Sequence, residues 1–528
     1  MGTAALCATV TRTWKGSARR ARSVRPDLDT MSVAPPARGR GADDASGSDR
    51  HRLCAVTYTW GMTTYSAVVT TGIYCRPGCG AKPLAQNVRI FELAAAAEAA
   101  GFRACQRCRP YRVAGPVGPG APELVCQAVQ MIIYGALDNG GTEATLADRI
   151  GWSARHLRRL FLQHLGATPD QLARSRRAHF ARRLLDDTDL TVIDIAFASG
   201  FGSLRQFNRA MQETFRAPPG KLRARRHRAD RLAADGGLAL RLPVLPGYDW
   251  DAMRAFLAAR AIPGVEAVDG DTYRRTITVD GAPGLLEISS GGAGYLLLRA
   301  HLPYWEDLIH LVGRAERLLG TDADHTDGVA ALRTDPVLGA MVRAHPGLAV
   351  PGGWDPFEVG VWAILSRSAA PEPAAEGLQA IVTSLGRPVP GLPSGLTHTF
   401  PDPGMVTPAS LTAIGLPAAD AATVAALANT LAEARATPGG GAGLDVLAAL
   451  PSTDQNLRDY LAFRFGHRQA FPHADPSLAA ALEALGLHDL DTSARSASWH
   501  QRWHPWLALA ATHLMAYGDA LIHEGELV

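Results

Sequence analysis

Four cysteines, Cys75, Cys79, Cys105 and Cys108, constrain this chain more than any other feature of it. They read C-x3-C-x25-C-x2-C, two short arms that suit one tetrahedral Zn2+ held by paired thiolates. Disulfides are the competing account, and cytoplasmic redox conditions disfavour them. Residues 51–112 therefore form a small module built around one site. Cys7, Cys54 and Cys126 stand outside the spacing and read as ordinary thiols.

The remaining 400-odd residues need cores of their own, and a chain of 528 residues leads us to expect about three or four domains. A Gly/Pro stretch, VAGPVGPGAPE, marks a linker at 113–123, and RARRHRADRLAADGG at 223–237 reads as a charged connector. The expected division is a disordered leader 1–50, the cysteine module 51–112, a helical module 121–228, and a rear half split into 238–303 and 304–528. ATPGGGAG at 436–443 reads as a loop inside the last of these. No run of eighteen apolar residues is present, and the arginine-rich first fifty residues lack a signal-peptide core. A cytoplasmic, nucleoid-associated protein that does not engage membranes is expected. Residues 1–230 carry 34 Lys and Arg against 18 Asp and Glu, whereas residues 231–528 carry 19 against 32. The front half is thus the electrostatic candidate for nucleic acid.

The context of the cysteines narrows their chemistry. TTGIYCRPGC at 70–79, QNVRIF at 86–91 and AAGFRACQRCRP at 99–110 together resemble the N-terminal domain of Ada-type methylphosphotriester sensors. The resemblance implies that Cys75 is both a zinc ligand and the nucleophile that irreversibly takes methyl from a methylated DNA phosphate. Thiolate is the reactive form, and zinc keeps cysteine deprotonated at neutral pH. Arg76 and Arg103 are placed to grip phosphate. GAKPLAQ, after the second cysteine, offers Lys82 alone where relatives carry further arginines.

TLADRIGWSARHLRRLFLQHL at 145–165 reads as helix, turn at Gly151, and a basic helix capped by Ser153. A second copy runs from 191 to 226, with its turn at Gly200–Gly202 and a helix capped by Ser203. The pair resembles the AraC-type DNA-binding domain. That likeness implies that Arg155, His156, Arg158 and Arg159 on one helix, and Ser203, Arg205, Gln206 and Asn208 on the other, face the major groove. Leu157, Leu160, Phe161, Phe207, Met211 and Phe215 recur at helical spacing and are expected in the core.

The rear half opens with alternating apolar and polar stretches and one helix at Trp250–Arg260, then turns helical after 304. YDW followed by FLAARAIPGVE, PGGWDPFEVGVWAILSRS at 351–368 and LPSTDQNLRDYLAFRFGHRQAFPHADPSLAAAL at 450–482 resemble bacterial 3-methyladenine DNA glycosylase II, the AlkA type. Such helix-hairpin-helix enzymes flip a damaged base from the duplex. The resemblance assigns to Asp475 the aspartate that stabilises the developing oxocarbenium ion and orients water, and to Tyr460, Trp503, Trp506 and His513 the base pocket. Asp475 would equally serve as a helix N-cap.

Several positions depart from that pattern. The hairpin reads Leu450-Pro451-Ser452-Thr453-Asp454 in place of L-P-G-x-G, and Asp454 brings negative charge toward a phosphate. Arg367 and Ser368 stand where the family has glutamine and an apolar wedge, Met515 where it has tryptophan, and Asn456 where lyase relatives keep lysine. Without that amine no Schiff base forms. No P-C-H-R motif of an O6-alkylguanine methyltransferase is present.

The expected fold class is multidomain and mainly α with α+β parts: a small four-cysteine zinc domain, an AraC-type double helix-turn-helix, an AlkA-type sheet subdomain and a helix-hairpin-helix glycosylase domain. The expected function is an alkylation-damage response. Methyl transfer to Cys75 switches on promoter binding, and the rear half hydrolyses the glycosidic bond of alkylated purines. The expected partners are alkylated and promoter double-stranded DNA and RNA polymerase, with one Zn2+ as cofactor. The alternative is a methylation-switched transcription factor with a non-catalytic rear domain.

Overall fold

A computed structural model describes residues 64–76, 79–81, 83–112, 122–138, 140–227, 230–232, 237–368, 371–436, 454–487 and 501–525. The expected leader, Lys82, most of the linker at 113–123, the glycine-rich loop from 437 and the hairpin residues Leu450 to Thr453 lie outside them.

The cysteine module is a sheet of β1 (Tyr65–Val68), β2 (Ile73–Cys75), β3 (Val88–Phe91) and β4 (Arg103–Ala104), in the order β3-β1-β2-β4. β1 pairs antiparallel with β2 and β3, while β2 and β4 run parallel. Between β3 and β4 lies α1 (Ala94–Ala99), whose buried Ala95, Ala96 and Ala97 leave room for close approach to the next module.

That module contains α2 (Glu123–Ile133), α3 (Glu143–Arg149), α4 (Ala154–Leu165), α5 (Pro169–Asp187), α6 (Val192–Ala198), α7 (Leu204–Phe215) and α8 (Pro219–Arg223). Helix starts follow from capping side chains. The hydroxyls of Thr142, Thr168 and Thr191 accept from the backbone N–H three residues on, and Ser153 and Ser203 do the same for His156 and Gln206. Gly151 and Gly200 hold φ of 73° and 75°, the left-handed turn that each helix-turn-helix unit needs. Leu157, Phe161, Phe207, Met211 and Phe215 are buried as expected, and the half-buried Leu160 packs against the same core as Leu157 and Phe161.

The rear half begins with an antiparallel sheet in the order β5-β9-β8-β7-β6, made of β5 (Leu238–Pro243), β6 (Glu266–Asp269), β7 (Thr272–Val279), β8 (Ala282–Ser290) and β9 (Tyr295–His301). α9 (Trp250–Ala259) crosses between β5 and β6, and Arg260 ends it. Beyond it the chain is mainly helical. The site depends on α10 (Leu308–Leu318), α11 (Pro356–Ser368), α12 (Gln455–Arg464), α13 (Pro476–Ala484) and α14 (Leu507–Gly525). A short antiparallel pair, Arg387–Pro388 with His398–Thr399, interrupts the helices.

The modules are not beads on a string. One hydrophobic core runs from Tyr65 and Tyr74 of the first sheet, through Phe180, Phe207 and Phe215, into Leu240, Tyr273 and Leu298 of the second sheet. Polar contacts stitch the same seam: ion pairs of Arg183 with Glu316 at 3.1 Å and of Arg241 with Asp187 at 2.6 Å, and a contact of His310 with Asp138 at 2.8 Å. The connector at 223–237 takes part, because Arg226 and Arg231 both reach Asp189, at 2.7 and 2.5 Å. The helical glycosylase-like segment keeps a second core of its own around Phe357, Val361, Leu461 and Leu514.

Candidate functional site

The parallel pairing of β2 with β4 brings the two cysteine arms together. Ile73 lies opposite Arg103 and Tyr74 opposite Ala104, so Cys75 and Cys105 leave the sheet side by side. The Cys105 N–H donates to the Tyr74 carbonyl at 2.9 Å, and the Arg109 N–H closes the second turn on the Cys105 carbonyl at 3.1 Å. The four sulfurs lie within 4.8 Å of one another. A tetrahedral zinc–thiolate site needs sulfurs about 3.8 Å apart, so a small contraction suffices. Cys75 is buried, and the other three are half-buried.

Four thiols this close cannot all ionise unaided. The hydrogen bond between Cys75 and Cys108, then burial, then the neighbouring sulfurs push Cys75 well above a thiol's ordinary value. The same bond draws Cys108 down to about 5. One member of the pair holds the proton that the other has lost, and a divalent cation is what lets every sulfur become thiolate. The donor set therefore fits zinc. Beside it Arg76 is exposed, and Arg103 is half-buried with its guanidinium donating to the Ala104 carbonyl at 3.4 Å.

Two sets of contacts that the spacing does not foretell tie this cluster to the helical module. Tyr74, next to Cys75, donates its hydroxyl to Glu98 at 2.6 Å, and His179 on α5 meets the same Glu98 oxygen at 2.6 Å. Arg109, next to Cys108, sits at φ 51° and pairs with Asp230 at 2.6 Å and with Asp186 of α5 at 3.6 Å. The Tyr111 hydroxyl reaches Asp186 at 2.8 Å. Each cysteine arm thus has a polar connection running into the α5 spine, part-buried at Glu98 and His179 and buried at Asp186.

On the two candidate recognition helices, Arg155, Arg158, Arg159, Arg205, Gln206 and Asn208 are exposed, while His156 and Ser203 are half-buried. Arg158 also makes a long 3.8 Å pair with Glu143, Arg159 approaches the His156 ring at 2.8 Å, and His156 lies against Trp152. The Ser203 oxygen works as the cap of α7.

In the rear half Asp475 is buried and caps α13, its Oδ1 accepting from the N–H groups of Ser477 and Leu478 at 3.0 and 3.1 Å. The N-cap reading of this residue is the one the contacts show. Arg260 donates to it at 3.3 Å and reaches Asp519 of α14 at 2.9 Å. Burial works against the Arg260 charge, but the two carboxylates outweigh it and hold the guanidinium above its ordinary value. Nothing in the spacing marks Arg260; its only signal is its place in FLAARAIPGVE. A cavity of about 10 Å3, room for one water, is lined by Asp475, Tyr460, Trp362, Arg367 and Asn456 among others. Tyr460 stacks on Trp362 with ring centres 5.3 Å apart.

Of the expected base-pocket residues only Tyr460 shares this cavity with Asp475. Trp503 is fully buried with its Nε1–H donated to Asp335 at 3.1 Å. His513 on α14 is buried, and burial pushes its pKa down to about 4. Trp506 lines a different cavity, and Met515 is part of the core. The expectation about Asp454 also needs correction. Its carboxylate pairs with Arg367 and caps α12 through the Leu457 N–H at 3.0 Å, so its charge is compensated. The two departures from the family pattern, at 367 and at 454, answer one another.

Three segments of the chain match known protein families. Residues 61–111 match the metal binding domain of Ada, residues 146–225 a helix-turn-helix domain, and residues 239–355 the AlkA N-terminal domain. A probable bifunctional transcriptional activator/DNA repair enzyme AlkA from Mycobacterium tuberculosis is 36% identical over 463 residues, covering 85% of this chain and 91% of that protein. The DNA-3-methyladenine glycosylase 2 of Escherichia coli is 27% identical, over 51% of this chain and 94% of its own length. The bifunctional transcriptional activator/DNA repair enzyme Ada of the same organism is 34% identical over 149 residues, 28% of this chain and 40% of that protein.

Proposed function

Because the chain belongs to the family of bifunctional transcriptional activator/DNA repair enzymes that joins Ada-type and AlkA-type domains, we propose that Cys75 senses DNA methylation by accepting the methyl group of a phosphotriester. The observation that carries this reading is the convergence of Cys75 with Cys79, Cys105 and Cys108 beside the exposed Arg76. One zinc ion held by these four sulfurs keeps them as thiolates at neutral pH. Cys75 Sγ attacks the methyl carbon, forming a C–S bond. The C–O bond to the phosphate breaks, and its electron pair stays on oxygen, restoring an ordinary diester. The thioether does not revert, so the event is counted once per molecule.

Methylation removes one negative charge from a cluster that faces a polyanion. Repulsion from the backbone falls, and the Arg109 and Tyr74 connections carry any shift of the cysteine arms to α5. Promoter affinity is expected to rise a few-fold after methylation, and the gain should shrink as salt rises. Binding isotherms at several salt concentrations check this, and an affinity unchanged by methylation at every salt would sink the charge switch. Chelation is expected to release one zinc per chain and to lower the melting temperature, read by metal analysis and calorimetry.

The exposed side chains of α4 and α7 are the proposed major-groove readers, and activation makes RNA polymerase the further partner. Replacing Arg205 with Ala is expected to weaken promoter binding about tenfold or more in a gel-shift titration without changing methyl transfer. Work on chromosomal DNA implies a cytoplasmic protein associated with the nucleoid; among the described residues no helix is long and apolar enough to cross a membrane.

For the rear half, Asp475 is proposed to stabilise the cationic sugar as an alkylated purine departs. With Asn456 offering no amine, the reaction ends in hydrolysis. A second reading, a binding module without catalysis, draws support from the one-water cavity and from the Arg260 guanidinium on Asp475. Release of 3-methyladenine from methylated duplex DNA by the intact chain decides between them.

A further inference from the structure

α4 and α7 are two copies of one helix in the same frame. α4 runs from Ala154 to Leu165 and α7 from Leu204 to Phe215, each begins at a capping serine, Ser153 or Ser203, and each ends on a residue in the left-handed conformation, Gly166 or Arg216. Their inward faces match as well, Leu157 with Phe207, Phe161 with Met211 and Leu165 with Phe215, all buried. The outward faces can therefore be compared position by position. A difference there is not imposed by the packing.

The first turns share an exposed arginine, Arg155 on α4 and Arg205 on α7. Further along, the exposed pair Arg158 and Arg159 of α4 is replaced on α7 by Asn208 and Arg209. Arg209 donates its Nε–H to Glu213 at 2.8 Å, and Arg174 approaches the same carboxylate at 3.7 Å. Gln163 stands on α4 where α7 has Glu213, so α4 carries no carboxylate of its own; Arg158 makes its 3.8 Å pair with Glu143 of α3. At the helix starts, Leu204 is 36% exposed where α4 has the half-buried Ala154. One face is thus strongly cationic, and the other mixes an amide and an apolar side chain with compensated charge.

These groups suit different base pairs. An arginine fork matches O6 and N7 of guanine, an asparagine amide matches N6 and N7 of adenine, and an apolar side chain packs on the methyl group of thymine. The N-terminal part of a recognition helix is the part that reaches base edges.

We propose that the chain reads an asymmetric DNA site, with a guanine in one half recognised by Arg158 of α4 and an A·T pair in the other half recognised by Asn208 and Leu204 of α7. The inference rests on α4 and α7 being major-groove readers, and it names the sequence they would select. Two unlike readers in one chain make a palindromic site unnecessary. The bound protein then points in one direction along the duplex.

Selection of duplexes from a random-sequence pool by the full-length protein, followed by titration of the selected duplex with single base-pair changes, tests this. The enriched site should hold a G·C half and an A·T half. Arg158→Ala should cut discrimination in the G·C half by about 5- to 100-fold and leave the A·T half unchanged, and Asn208→Ala should do the reverse. Asn208→Arg places on α7 the side chain that α4 carries, and should turn the preference of the A·T half toward guanine. An enriched site with two like halves, or an alanine variant that relaxes both halves or neither, would overturn the assignment and leave promoter binding standing. Enrichment of no sequence at all would overturn the major-groove reading and this assignment with it.

Discussion

Replacing Cys75 with Ala is expected to reduce transfer of labelled methyl from phosphotriester DNA to background, a loss of at least about 10³-fold, because the proposed acceptor sulfur is gone. Cys79, Cys105 and Cys108 remain to hold the metal, so the variant should still bind zinc with lower affinity. Labelled methyl recovered on a peptide within residues 51–112 of the variant would show that a different sulfur reacts. The same experiment separates chemistry from folding, since calorimetry reports whether the core that contains Tyr74 and Tyr65 survives the change.

Base release should respond to two substitutions in different ways. Asp475→Asn keeps the shape and the cap of α13 but removes the charge. Excision of 3-methyladenine is expected to fall by on the order of 10²- to 10³-fold. Arg260→Gln takes the guanidinium away from the buried Asp475 and the half-buried Asp519, and stability is expected to drop by about 2–4 kcal/mol. Denaturant unfolding measures the second, and single-turnover kinetics measures the first. No release by either the parent chain or Asp475→Asn would establish the non-catalytic reading. Release by both would take the catalytic role away from Asp475.

Much of this architecture can be read from the residues. The cysteine spacing anticipates the sulfur cluster, because two short arms admit few other chemistries. The Ser153 and Ser203 caps and the Gly151 and Gly200 turns are local events, written within a few residues of where they act. What the sequence does not display is long-range. Arg109 meets Asp186 and Asp230, and Arg260 meets Asp475, across separations that no period or motif encodes. Trp503 and His513 illustrate the converse. Family resemblance puts them at the base pocket, but a neighbouring Asp335 and the packing of α14 hold them in the interior. The pairing of Arg367 with Asp454 shows that departures read one at a time can carry the wrong sign.

The continuous core has a consequence for how such a protein can change over generations. Phe180, Phe207, Leu240 and Tyr273 belong to one apolar body, so a substitution that disturbs any of them is felt by sensor, reader and repair sheet together. Severing the polypeptide behind α8 would leave two torn apolar faces, and neither fragment would inherit a finished interior. Selection therefore acts on the fusion as a single heritable part. One copy of the lesion detector is made for every copy of the repair domain, a ratio fixed by packing as firmly as by the reading frame.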